Sequence, residues 1–89
     1  MNKELKEKWL TALRSGKYNQ GRGRLYSIAD NSYCCLGVLC KIQNIKITSG
    51  LPYQEHFDEK QIPSSELIRM NDSGKKTFFE IANYIEKNL

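Results

Sequence analysis

Thr77-Phe78-Phe79-Glu80 constrains this chain more than any other stretch. It has the form of a capping box, in which a threonine hydroxyl and a glutamate carboxylate each satisfy a backbone N–H that the first turn of a helix leaves without a partner. Phe78, Ile81, Ala82, Ile85 and Leu89 follow at helical spacing, so the pattern predicts a one-sided helix running to the end of the sequence. A second such helix is expected over residues 3–15. Leu5, Trp9, Ala12 and Leu13 recur at i, i+4, i+7 and i+8, Leu10 widens the stripe, and Lys3, Lys6, Glu7 and Lys8 lie off it. Asn2 can cap its start, and Gly16 stands where a left-handed C-terminal cap is wanted. Two helices with one apolar face each must bury those faces, and 89 residues leave room for one core. The expectation is a single domain over residues 1–89.

Between these helices the signals are shorter. "RLYSIADNSYCC" reads as a hairpin: Leu25, Tyr26 and Ile28 favour a strand, Asp30-Asn31-Ser32 is turn chemistry, and Tyr33 begins the return. The apolar run "CLGVLCKI" is too short for periodicity to separate a buried strand from a buried helix. Cys35, Leu36, Leu39 and Ile42 fit a helical face, so a helix over 35–43 is expected, with Gly37 allowing close approach of a neighbouring backbone. In 44–63, "IKIT" reads as a short strand and "YQEHFDEK" as a strand or turn with Tyr53 and Phe57 inward; Gly50, Pro52 and Pro63 break any long element. A short helix over 64–71 follows, led by Ser64 or Ser65 and carrying Leu67 and Ile68. The fold class expected is α+β: a small, helix-rich single domain with amphipathic helices at both ends and a short β-hairpin.

Charge is unevenly placed. Residues 1–24 hold seven Lys/Arg against two Glu, while the rest hold seven against eight acids, so the net +4 comes entirely from the first quarter. Such asymmetry suits an anionic partner or a solubilising helix face. No apolar run approaches the ~20 residues that span a bilayer, so no membrane partner is expected. The charged, amphipathic N-terminus reads as lacking a secretion signal, which points to the cytoplasm.

Within that basic quarter, "GKYNQGRGRLY" sets Lys17, Arg22 and Arg24 among three glycines, with Tyr18 and Tyr26 at the edges. Arginine forks match phosphate bidentately, glycine exposes backbone N–H groups, and a tyrosine face stacks on a base. The candidate ligand-binding set is Arg14, Lys17, Tyr18, Gln20, Arg22, Arg24 and Tyr26. Neither a P-loop nor a dinucleotide fingerprint is present. The competing reading has Arg14 at a helix terminus, glycines in turns and tyrosines on the core.

Cys34, Cys35 and Cys40 are odd in number and expected as free thiols filling apolar space. With His56 they make no zinc pattern, since no Cys-x₂-Cys knuckle and no paired histidine occurs. Neither a metal nor a cofactor is expected. His56 is the sole histidine, and nothing local activates a thiol, so no catalytic residue and no enzymatic activity are expected. Asn71 and Asp72 read as turn chemistry joining two helices.

Taken together, three blocks carry a resemblance. Trp9, Ala12, Leu13, Ser15, Gly16, Tyr18 and Gln20 match Trp-x-x-Ala-Leu-x-Ser-Gly-x-Tyr-x-Gln; residues 34–40 match Cys-Cys-Leu-Gly-Val-Leu-Cys; Asn71, Asp72, Gly74, Glu80, Ile81 and Ala82 match an Asn-Asp-x-Gly…Glu-Ile-Ala block. The chain thereby resembles a group of small accessory proteins of tailed phages and prophages, over about two-thirds of its length. It departs from them by one extra residue between Gly74 and the aromatic pair. Residues 43–63 are not covered. The resemblance implies context rather than chemistry: such proteins often disarm host defences, some by sequestering nucleotide immune signals and some by plugging an effector. The expected function is non-catalytic binding of a phosphate-bearing, nucleotide-derived ligand in the host cytoplasm. A homo-oligomer would supply the depth that one small domain lacks. The alternatives are inhibition of a host protein or weak nucleic-acid binding.

Overall fold

A computed structural model of the protein describes residues 2–44 and 62–89. The first helix, α1 (Lys3–Arg14), begins where the Asn2 side chain accepts a hydrogen bond from Leu5 N–H at 2.9 Å. It ends at Ser15, and Gly16 takes φ +77°, the left-handed conformation a side chain would resist. Trp9, Leu10 and Leu13 are buried, and Leu5 and Ala12 pack at the edge of the core. Trp9 is fully buried, and its Nε1–H donates to Cys35 O at 2.9 Å, so burial of the indole leaves no donor unmet.

Three strands of two residues follow: β1 (Asn19–Gln20), β2 (Tyr26–Ser27) and β3 (Ser32–Tyr33). The expected hairpin is present, with Tyr26 opposite Tyr33 and Ser27 opposite Ser32. The strand β1 was not expected. It lies parallel to β3, with Asn19 opposite Ser32, and the sheet order is β1-β3-β2. Two polar residues carry no alternation to announce a strand, and the pairing is made by contacts distant in sequence. Ile28 lies beyond β2 and is 85 % exposed, so its β propensity is overridden by the turn.

The run "CLGVLCKI" forms α2 (Cys35–Ile42), and Cys35 to Cys40 are all buried. A helix apolar on every side is an interior helix. Gly37 is essential to its placement: a Cβ there would lie 1.8 Å from Leu25 O. The helix α3 (Ser64–Asp72) is led by Ser64, as expected, and starts with Pro63 in the N-cap position and no side-chain cap. It buries Leu67 and Met70, and its last turn contains Asn71 and Asp72, which were expected in the following turn. The last helix, α4 (Phe78–Asn88), carries the complete Thr77–Glu80 capping box and buries Phe78, Ile81, Ala82 and Ile85. Expectations for "IKIT", "YQEHFDEK" and His56 fall outside the described residues.

The helices close a ring: α1 packs on α4, α4 on α3, α3 on α2 and α2 on α1, and the small sheet sits beside α2. This is a small α+β domain. No helix among the described residues is long and apolar enough to cross a membrane.

Candidate anion-binding surface

Arg22 and Arg24 ride on the loop between β1 and β2, and both ends of that loop are fixed. Gln20 commits its whole side-chain amide to the turn between α3 and α4. Nε2–H donates to Asn71 Oδ1 at 2.9 Å and to Lys76 O at 2.6 Å, while Oε1 accepts from Phe78 N–H at 3.0 Å. Asn71 is fully buried and donates from Nδ2 to Gly21 O and to Asp72 Oδ1, both at 2.8 Å. Gly21 N–H donates to Tyr33 O at 2.7 Å. At the other end Leu25 is buried, and its carbonyl accepts from Cys34 N–H at 3.2 Å. Such buried amide links rigidify because leaving one polar group unpaired costs ~1–3 kcal/mol.

From this anchored loop, the side chains of Arg22 and Arg24 extend exposed. Neither they nor the exposed Lys17 side chain make an ion pair or side-chain hydrogen bond among the described residues. The sheet that anchors this loop carries a tyrosine cluster. The Tyr33 ring meets Tyr18 edge-on at a centroid distance of 5.3 Å and Tyr26 at 4.7 Å, tilted by 41°. All three are half-buried, and Tyr26 OH donates to Asn31 Oδ1 at 3.1 Å. Burial, then the neighbouring Tyr26 and Tyr18 phenols, push the Tyr33 hydroxyl above its ordinary pKa, so it stays a neutral phenol. Tyr33 was not among the candidate residues, although the hairpin register alone sets it opposite Tyr26.

Two of the expected residues are occupied elsewhere. Arg14 reaches across to α4, donating from Nη2 to Asn83 Oδ1 at 2.8 Å and to Glu86 Oε1 at 3.1 Å, with the Phe79 ring 6.0 Å away. That hydrogen bond, and then the guanidinium charge, hold the Glu86 carboxyl below its usual pKa. Gln20 is the structural link just described. Lys17 and Tyr18 also line a groove of about 640 Å³ along α1, together with Glu4, Glu7 and Lys8. Its mixed charge gives no preference for anions, and Arg22, Arg24 and Tyr26 are not part of it. The seven candidates therefore do not share one hollow; Arg22 and Arg24 share a loop, and Tyr18 and Tyr26 share the Tyr33 ring.

The cysteines are free and buried. Cys34 sits at the N-cap of α2, where the Leu36 and Gly37 N–H groups favour a thiolate. Burial outweighs them and pushes its pKa up to about 11. Burial likewise raises Cys40 to about 11 and Cys35 well above the ordinary value. The Cys35 thiol donates to Leu67 O at 3.7 Å. Burial packs all three into the core and favours the neutral thiol. No group of three or more metal-capable side chains occurs among the described residues.

No curated protein and no solved structure matches this chain. Residues 1–62, from α1 through α2 to the threshold of α3, match the family model of a domain of unknown function, DUF8296. That span is more than half of the 89 residues and includes the anchored basic loop and the tyrosine cluster, and the chain belongs to the DUF8296 family.

Proposed function

We propose that this protein is a phage-encoded accessory protein that binds, without catalysis, a phosphate-bearing small ligand such as a nucleotide-derived defence signal, and withholds it in the host cytoplasm. One observation carries the reading: Arg22 and Arg24 are exposed, with no ion pair or side-chain hydrogen bond among the described residues, on a loop fixed at both ends to the sheet that carries the packed tyrosines. A cation held on a rigid backbone loses little conformational freedom when it meets a phosphate. In this reading Arg22, Arg24 and Lys17 neutralise phosphate, and Tyr18 or Tyr26 offers a ring face to a base. Because the surface is open, a second copy of the chain supplies the missing depth.

Isothermal titration against cyclic dinucleotides and ADP-ribose derivatives tests it. Micromolar binding to at least one, weakened about tenfold or more by Arg22→Gln/Arg24→Gln, is the expected result. An absence of heat with every ligand, at protein concentrations well above micromolar, overturns it.

A second reading draws on Ile28, 85 % exposed beyond β2. An exposed apolar side chain on a chain whose first 24 residues carry the excess of positive charge suits docking on an acidic face of a host effector. It predicts a co-purifying host protein, released by Ile28→Asp, and no small-molecule heat.

A further inference from the structure

The Gln20–Asn71 pair joins two basic turns that lie about 50 residues apart in the sequence. Gly21 O accepts from Asn71 Nδ2, and Lys76 O accepts from Gln20 Nε2, while the two amides bond each other at 2.9 Å. Arg22 follows Gly21 directly, and Lys75 precedes Lys76, so the two turns flank a single half-buried amide pair. We infer that Lys75 and Lys76 form the second half of an anion-binding surface with Arg22 and Arg24, selecting a small ligand that carries at least two phosphate groups. The inference rests on the phosphate-binding reading above and adds the ligand class.

The backbone of Lys75 supports it independently. Five described residues have positive φ; Gly16, Gly23, Asn31 and Asn44 are the types that adopt it readily, and Lys75, at 54°, is the exception. A left-handed residue after a helix is ordinarily Gly or Asn, because other side chains cost ~1 kcal/mol there. Favourable interaction of a lysine with the C-terminal end of α3 accounts for a positive charge in this turn. It does not account for placing that charge at the one position where asparagine would close the helix at lower cost. An outlier of this kind is a reason to look for a functional role.

Both lysines also keep their charge available. The Lys75 side chain has no ion pair or hydrogen bond among the described residues. Lys76 Nζ lies 3.9 Å from Glu80 Oε2, at the limit of an ion pair, and the other oxygen of that carboxylate is held by Thr77. The N-terminus of α4 offers an anion little, since Thr77 N–H is met by Glu80, Phe78 N–H by Gln20 and Glu80 N–H by Thr77 Oγ1, which leaves only Phe79 N–H. The attraction must come from side chains, with arginine forks on one turn and ammonium groups on the other. One phosphate engages one turn; a second, covalently linked phosphate engages the other at high effective concentration.

The test is titration of ¹⁵N-labelled protein with inorganic tripolyphosphate and with orthophosphate at fixed ionic strength. The expected result is concerted movement of the amide signals of residues 21–24 and 74–76 with tripolyphosphate, at an affinity about tenfold or more above orthophosphate. Lys75→Asn/Lys76→Gln, in which asparagine suits the left-handed position, is expected to fold and to remove that advantage. Movement of 21–24 alone, unaffected by this variant, overturns the inference and leaves the phosphate-binding reading standing. No movement in either turn, or movement concentrated at Lys3, Lys6 and Lys8, overturns both.

Discussion

Single atoms decide several features of this protein. A methyl at Gly37 would occupy the space of Leu25 O, so α2 must move off β2. Gly37→Ala should destabilise by about 3 kcal/mol or more, read as a lowered urea midpoint. Gly23→Ala tests backbone conformation alone, since its Cβ would meet nothing but φ is +81°; about 1 kcal/mol is expected. Asn71→Ala would leave Gly21 O and part of the Gln20 amide without partners, costing about 2–3 kcal/mol. It should also speed hydrogen exchange at Gly21 N–H, because the loop anchor is lost. At the thiols, burial and raised pKa values predict that iodoacetamide at neutral pH labels Cys34, Cys35 and Cys40 only after unfolding. Rapid labelling of native protein would contradict the packing described for α2.

At the scale of elements, the end helices are specified by their own sequences and the interior ones by their neighbours. Thr77→Ala should cost about 1 kcal/mol through the lost cap. The Thr77 backbone N–H, and then its hydroxyl, hold the Glu80 carboxyl below its ordinary value of 4.5. Arg14 lowers Glu86 and Arg69 lowers Glu66 in the same direction. A carboxyl depressed in the folded state contributes stability that is complete above its unfolded pKa and lost as pH falls through the folded one. Stability should therefore decline below about pH 4.5, and Glu80→Gln should flatten that decline, as followed by urea unfolding across pH. In contrast, α2 has no side-chain cap and α3 none at its start, so neither is expected to hold as an isolated peptide.

The described residues share one core, because α1, α2, α3 and α4 close a ring around the same side chains. Trp9, the sole tryptophan, is fully buried and bonded to Cys35 O, so its fluorescence reports that core. Tryptophan emission and helical circular dichroism should lose signal at the same urea concentration; separated midpoints would refute a single core. Much of this architecture is legible in the chain: both end helices with their caps, the Tyr26–Tyr33 hairpin and the helix at Cys35. Each depends on interactions between residues close in sequence, where spacing and side-chain chemistry are sufficient. The parallel strand at Asn19–Gln20 is not legible, since two polar residues become a strand only when β3 arrives beside them. Nor is the fate of the basic quarter. Charge counting could gather Arg14, Lys17, Arg22 and Arg24 as one group, yet Arg14 turns to Glu86 and Gln20 becomes a structural link. Local chemistry settled where helices start and stop; packing alone settled that Arg14 and Gln20 are committed elsewhere, because that depends on bonds to residues more than 50 positions away.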